Sequence, residues 1–293
     1  ASSSMVDLHI DYIIRDEQEE EKVISKTISN IKLCNMPIML KSSICILSQY
    51  KQLSNENTEE CPMDCGGYFI IKGSEKTILC QERAAENRIY VFNGKNTPKW
   101  KWIAEFKSVP DSKCISPKQV EMMVSSKANV FGFGIYVVLP RLKQKRHIEL
   151  FVLFRALGVL SDKKICEYIL LSVEDKKNEK LLDFLQGSIE DAKQYLTTKE
   201  TIQEDALEHI MNMVAYNPYQ TNKNTQFLNK RDYTLEIFKN DFFPHCKSIE
   251  QKLYLLGFMA SRLIRTALRW NPPDDRDSYL NKRIELSGSL LNN

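Results

Sequence analysis

Cys61 and Cys65 form the one close cysteine pair in the chain, spaced as C-x3-C in Cys61-Pro62-Met63-Asp64-Cys65. Two thiolates at that spacing could serve zinc, but a structural zinc takes four ligands, usually from a second such pair or from histidines. No second pair exists, and His9, His147, His209 and His245 are scattered. The cysteines are therefore expected in core or loop positions, with no bound metal. Gly132-Phe133-Gly134 lacks the third glycine and the following helix start of a dinucleotide-binding turn. Gly73-Ser74-Glu75-Lys76 has a glycine and a lysine but not the earlier glycine of a phosphate-binding loop. No G-x-S-x-G elbow occurs, and no cysteine and histidine stand in a motif that pairs a nucleophile with a base. These residues compose no self-contained active site, and no cofactor is expected in the chain.

The elements that would position any site change character along the sequence. Val6, Leu8, Ile10, Tyr12 and Ile14 alternate with Asp7, His9 and Asp11, the period of a half-buried strand. The acidic run over residues 16–21 reads as a solvated loop. Strands are expected at residues 68–71 and 77–80, around a turn at Lys72-Gly73-Ser74-Glu75, and again at 88–92. The polar stretch over residues 93–98, with Gly94 and Pro98, is the expected domain boundary. Beyond it Trp100, Trp102 and Ala104 predict a strand, and residues 119–124 and 135–139 a second hairpin. From Glu149 the period turns helical: residues 150–158 read as a buried helix ended by Gly158. Helices are expected at 165–171, 179–196, 200–215 and 234–242. A last, long one carries Leu253, Leu256, Ala260, Leu263, Ile264, Ala267 and Leu268 and stops at Pro272-Pro273. Strands followed by a run of helices predict an α+β fold of two domains, not an alternating parallel sheet.

Composition narrows the class without naming a partner. At 293 residues the chain can bury two cores, and 43% hydrophobic with 27% charged residues excludes a disordered or membranous chain. No apolar run approaches the roughly 18–20 residues of a spanning helix. The start Ala1-Ser2-Ser3-Ser4 carries no signal peptide, and a chain that is tagged, processed or cut from something larger is expected. Forty-one basic against 38 acidic residues leave a net charge of +3, too weak to demand a nucleic-acid partner, though it excludes none. Eight cysteines without a dense framework are expected to be reduced, as in an intracellular protein.

Three stretches carry a resemblance. They are MPIMLKS over residues 36–42, ECPMDCGGYFIIKGSEKTILCQER over 60–83, and PPDDRDSYLNKRIELSG over 272–288. Together, and in the same order, they resemble the second-largest subunit of eukaryotic, archaeal and large-DNA-virus RNA polymerases. The apolar LFVLFRALG over residues 150–158 is a fourth match. The chain departs from the family at Leu280, where a glycine is common, and at Ser289, where a proline is frequent.

The resemblance implies that residues 1–97 are the N-terminal part of the protrusion, 98–285 an inserted lobe, and 286–293 the start of the return to the protrusion. It implies a DNA-directed RNA polymerase, a nucleotidyltransferase, whose catalytic Mg2+ is held mainly by aspartates of the largest subunit, outside this chain. Implied partners are the largest and other polymerase subunits, template and non-template DNA, the RNA–DNA hybrid, and transcription factors docking on the lobe, with no membrane. The implied location is the nucleus for a cellular source, or the virion or infected-cell cytoplasm for a large DNA virus. Lys76, Gln81 and Arg83 are the residues of the second stretch that would face RNA or DNA: the cations neutralise phosphate and Gln81 hydrogen-bonds. The competing reading is a surface hairpin in which Lys76 pairs with Glu75 or Glu82. In the third stretch Asp277, Lys282 and Arg283 would approach non-template DNA, while the dense alternation of acids and bases also suits an ion-pair network that fixes a junction. Arg262, Arg265 and Arg269 form one helical stripe, solvated or facing a cleft or neighbouring subunit. The alternative function is a stand-alone nucleic-acid or protein interaction module that reuses these domains.

Overall fold

In the computed structural model, which describes residues 2–15, 21–49, 60–94, 98–110, 115–143, 146–194, 202–217 and 223–292, the alternating N-terminal stretch is strand β1 (Ser2–Arg15). It pairs antiparallel with β2 (Glu21–Met36), a strand the sequence pattern did not reveal. Residues 16–20 of the acidic run lie outside the described residues. Asn30 adopts φ 60° beside a register shift, and its N–H donates to Asp7 Oδ1 at 2.8 Å. The short helix α1 (Ile46–Gln49) precedes a hairpin of β3 (Phe69–Ile71) and β4 (Ser74–Lys76). The expected strand at 77–80 is not one. Lys72 and Gly73, at φ 51° and 76°, make a two-residue turn that places Ser74 opposite Ile71, so the return strand ends at Lys76.

Two compact units emerge. One takes in residues up to Gln81 together with Glu285–Leu291; the other takes in Glu82–Ile284. The second unit takes in β5 (Gln81–Ala84) from Glu82 onward and continues into a sheet of β6 (Ile89–Asn93), β7 (Trp100–Ser108), β8 (Lys118–Asn129), β9 (Gly132–Val138) and β10 (Ile148–Glu149). These five strands lie in the order β10-β9-β8-β7-β6. The stretch read as a domain boundary falls inside this sheet, because Asn93 pairs with Trp102 and Val91 with Ala104. Its Gly and Pro serve a connection between adjacent strands. The contacts divide earlier, between Gln81 and Glu82.

Helices cover one face of the sheet. Val91, Ala104, Met122 and Val137 form a row across four strands, and each is almost wholly buried. They join a core with helices α2 (Leu150–Ala156), α3 (Asp162–Leu170), α4 (Glu179–Lys193), α5 (Ile202–Met213), α6 (Lys223–Glu236) and α7 (Ile249–Ala267). Every residue of α2 is buried, including Arg155 at 2% exposure. Its guanidinium donates to Asp162 Oδ1 at 2.7 Å and to the Ala192 carbonyl at 3.2 Å, so the buried charge is paired and hydrogen-bonded.

The longest helix, α7, starts with a capping box. Gln251 N–H donates to Ser248 Oγ at 3.2 Å, and Ser248 N–H to Gln251 Oε1 at 3.4 Å. Leu253, Leu256, Met259, Ala260, Leu263 and Ile264 point into the core. Buried Lys252 leaves that face to donate to the carbonyls of Phe238 and Lys239, at 2.7 and 2.9 Å, in the π turn Ile237–Asp241. After α7 the chain forms β11 (Lys282–Glu285) and α8 (Ser287–Asn292). The fold is α+β, and none of the described helices is long and apolar enough to cross a membrane.

Candidate nucleic-acid interface

α7 ends at Ala267, five residues before the expected stop at Pro272-Pro273, because Arg269 takes a left-handed φ of 62°; beyond the prolines Asp274 turns the chain onto the sheet. Asp274 N–H donates to the Val91 carbonyl at 2.9 Å, and Asp274 Oδ2 accepts the Val91 N–H at 2.9 Å. One residue thus occupies both hydrogen-bonding groups of Val91 on the edge strand β6, which covers that part of the edge. Arg262 Nη2 donates to both Asp274 carboxylate oxygens, at 2.8 and 2.9 Å. Asp275 Oδ1 accepts from Asp277 N–H at 3.0 Å, and Asn281 Nδ2 donates to the Asp275 carbonyl at 2.6 Å, which closes the turn. Arg276 lies over the Phe92 ring, 4.3 Å from its centroid, and donates to Glu105 Oε1 at 3.0 Å.

This clasp holds β11 against β5, and the two form a two-stranded ribbon. Ala85 N–H donates to the Asn281 carbonyl at 2.9 Å, and Arg88 Nη1 to the Leu280 carbonyl at 3.1 Å. The Tyr90 hydroxyl donates between the carbonyls of Ala85 and Asn281, at 2.9 and 3.2 Å. Burial is the main cause that raises its pKa. The second and third stretches of the resemblance are therefore side by side, although nearly 200 residues separate them.

Of the six residues singled out in the sequence, the ribbon brings together Arg83 on β5 with Lys282 and Arg283 on β11. Arg83 Nη1 pairs with Glu86 Oε1 at 2.9 Å, and Lys282 Nζ with Glu82 Oε1 across the ribbon at 3.5 Å. Arg283 points to solvent and makes no ion pair among the described residues. Successive strand residues face opposite sides, so Arg283 and Lys282 present their cations on different faces. Asp277 is exposed in the turn before the ribbon. Gln81 is the exposed first residue of β5. Lys76 is exposed on the β3–β4 hairpin of the other unit and pairs with neither Glu75 nor Glu82 among the described residues. The ion-pair network and an exposed cation coexist: Asp274, Glu105, Glu82 and Glu86 engage Arg262, Arg276, Lys282 and Arg83.

Arg88, Arg276 and Lys107 were not singled out in the sequence. A cavity of about 110 Å3 beside the ribbon is lined by Tyr90, Phe92, Glu105, Lys107, Arg276 and Asn281. Only the alternation of Arg88, Tyr90 and Phe92 hinted at a shared face; the approach of Arg276 depends on tertiary structure. The stripe of three arginines is broken, since α7 ends at Ala267 and Arg269 adopts φ 62° beyond it.

In the first unit the matching stretches meet as well. Gly66 and Gly67 adopt φ 69° and 85°, and Gly67 N–H donates to the Leu40 carbonyl at 3.0 Å. Asp64 accepts from Gly66 N–H at 2.8 Å and from the Tyr68 hydroxyl at 2.6 Å, and the Lys41 ammonium donates to its carbonyl. The Tyr68 hydrogen bond, more than any other contact, holds the Asp64 carboxyl below its ordinary range, and that same bond pushes Tyr68 up to about 12. Cys61 and Cys65 are both exposed.

Two other constellations have the residue types of a catalytic site but not its electrostatics. His245 Nδ1 lies 2.6 Å from Ser108 Oγ, and its Nε2 3.4 Å from Cys246 Sγ. Ser108 is fully buried, the imidazole stacks on Phe106, and burial raises the Cys246 thiol, which disfavours the reactive thiolate. No three His, Cys, Asp or Glu residues gather as metal ligands among the described residues.

The profile of the family described as RNA polymerase beta subunit matches residues 2–291. The chain is 37% identical to DNA-directed RNA polymerase II subunit RPB2 of Encephalitozoon cuniculi, over 90% of this chain and 22% of that protein. It is 31% identical to DNA-directed RNA polymerase II subunit 2 of Arabidopsis thaliana, over 98% of this chain and 23% of the relative. With DNA-directed RNA polymerase subunit 2 of Acanthamoeba polyphaga mimivirus the identity is 27%, over 95% and 23%. The chain thus spans less than a quarter of the length of these relatives. With a match over nearly its whole length, the chain belongs to the RNA polymerase beta-subunit family, the second-largest subunits of multisubunit DNA-directed RNA polymerases.

Proposed function

We propose that this chain supplies the protrusion and lobe of a DNA-directed RNA polymerase, where it helps wall the DNA cleft and guides nucleic acid during RNA synthesis. Residues up to Gln81 with Glu285–Leu291 would be protrusion, and the sheet-and-helix unit the lobe. The observation that carries this reading is the β5–β11 ribbon, which joins two of the family-like stretches and sets Arg83, Lys282 and Arg283 together on a strand pair braced by the Asp274 clasp. Cations divided between the two faces of the ribbon, two of them held by carboxylates, suit light contact with phosphates, which positions a strand without reading its sequence.

The catalytic centre lies outside this chain in this reading. In this role the chain would orient nucleic acid, and bond making would fall to the rest of the enzyme. Its partners would be the largest and other polymerase subunits, the DNA strands and hybrid, and transcription factors on the lobe. The nucleus, or for a viral source the virion or infected-cell cytoplasm, is the matching location.

The test uses the assembled polymerase with Arg283→Ala, on a bubble duplex across a salt series. If Arg283 neutralises one phosphate, the slope of log K against log salt falls by about 0.7–0.9 and affinity drops on every sequence alike. An unchanged slope for Arg283→Ala, with Lys282→Ala and Arg83→Ala also unchanged, removes the ribbon from the interface.

A further inference from the structure

A second groove runs along α7 on the solvent side of the larger unit. Phe258, Ser261, Arg262 and Arg265 line it from the helix, and Pro272 and Pro273 from the segment beyond, around a space of about 410 Å3. That is within the roughly 300–1,000 Å3 of ligand-binding clefts. Its walls are unlike each other. Phe258, 59% exposed, and the two prolines offer apolar surface, and Tyr254 extends that surface one turn earlier at 50% exposure. The polar end holds two arginines in different states. Arg262 is satisfied by both oxygens of Asp274. Arg265 has no ion pair among the described residues, and its Nε is shielded from solvent without an acceptor.

We propose that this groove binds a short acidic peptide segment of a partner protein that carries an aromatic or large aliphatic side chain. Its carboxylate takes the guanidinium fork of Arg265, a planar match that gives two parallel charge-assisted hydrogen bonds. Its apolar side chain lies between Phe258 and the Pro272-Pro273 wall. Helix position fixes the spacing: Phe258 and Arg265 are seven residues apart on one side of α7, about 10 Å along the axis. An extended peptide covers that distance in about three residues, at about 3.3 Å each.

Charge selects peptide over nucleic acid. Asp274 sits at the polar end with Arg262 and Arg265, so the lining nets a single positive charge. A nucleic-acid strand brings a phosphate with every nucleotide, and its affinity depends on neutralising several. One unpaired guanidinium beside a carboxylate suits one or two carboxylates flanking an apolar anchor. The inference stands apart from the ribbon, because neither Phe258 nor Arg265 belongs to it.

The experiment cross-links a benzophenone-labelled peptide of alternating aspartate and phenylalanine or leucine to the assembled polymerase, with sites mapped by mass spectrometry. The expected result is labelling in the 254–274 segment. It should fall about tenfold or more in Arg265→Glu and several-fold in Phe258→Ala, with Lys127→Glu on strand β8 unchanged. Phe258 is solvent-exposed, so its variant tests the groove without disturbing the core. Equal labelling by a peptide with asparagine for aspartate would overturn the proposal, as would unchanged labelling in Arg265→Glu. Loss of labelling to competing oligo-dT would assign the groove to nucleic acid, and cross-links between two copies of this chain through Phe258 would assign it to self-association.

Discussion

Loss of the Asp274 side chain should destabilise the larger unit through two separate contacts. Its carboxylate is the acceptor for the Val91 N–H, on a residue with 0% exposure, and for Arg262. In Asp274→Ala the backbone bond from residue 274 to the Val91 carbonyl can persist, but the Val91 N–H is left buried without a partner. An unsatisfied buried donor costs about 1–3 kcal/mol. The pair with the partly exposed Arg262 adds no more than about 1 kcal/mol. The expected destabilisation is therefore about 1–4 kcal/mol. Asp274→Asn keeps an oxygen for Val91 and loses only the ion pair, so about 1 kcal/mol is expected. Trp100, Trp102 and Trp270, the only tryptophans, all lie in this unit, so fluorescence in urea reports on it selectively. The midpoint should fall in the order wild type, Asp274→Asn, Asp274→Ala with unchanged slope. Hydrogen exchange at the Val91 amide should accelerate in the alanine variant alone. A loss below about 0.5 kcal/mol for Asp274→Ala, or equal Val91 protection in both variants, would refute the claim that this carboxylate closes the sheet edge.

Three further outcomes follow from the first unit. Gly66→Ala should destabilise the turn at Gly66-Gly67 by about 1–3 kcal/mol, since a Cβ there meets the Leu40 carbonyl oxygen at 2.7 Å in a left-handed conformation; local proteolysis that is no faster than in wild type would contradict this. The Asp64 carboxyl has a folded pKa below its unfolded value, so its contribution is present above the ordinary carboxylate range and fades as pH falls through the lowered value. Protection of the Gly66 amide should fall over that acid window, and Asp64→Asn should abolish the dependence. In the same variant the Tyr68 phenol, raised to about 12, should return towards 10 in an ultraviolet titration.

The α+β class and most elements were legible because apolar periodicity is a local signal: β1, β7, β8, β9 and the core face of α7 fall where the pattern puts them. Failures came where geometry overrode pattern. Residues 77–80 are apolar enough for a strand, but the positive φ of Lys72 and Gly73 sets a tighter turn and ends the pairing at Lys76. Asn93 to Pro98 has the chemistry of a linker, yet turn residues between paired strands have the same chemistry, and only the partner strand tells them apart. The start of α7 went unread, although its capping box, Ser248-x-x-Gln251, is a local signature that precedes the first periodic leucine. The Arg88–Leu280, Val91–Asp274 and Arg276–Phe92 contacts were not readable, since no local period links residues more than 180 positions apart.

Net charge is a poor guide to what the ribbon and the groove can bind, and the structure gives the reason. The run from Asp274 to Arg283 counts three acids and three bases, which predicts a surface indifferent to polyanions. Pairing does not follow that count, because the sheet recruits particular members. Asp274 turns inward to Val91 and Arg262, Arg276 crosses to Phe92 and Glu105, and Lys282 takes Glu82 from the neighbouring strand. Each inward pair fixes backbone geometry, and a pair of that kind specifies an arrangement more surely than it stabilises one. What remains outward on β11 is Arg283, and on α7 Arg265, each a single cation on an element whose position the pairs have fixed. On a fixed backbone such a cation has only its side-chain entropy to lose on meeting an anion, so it contributes more per contact than a lysine on a flexible arm would. The same +3 spread over unpaired side chains would attract polyanions at longer range and hold them less well in any one orientation.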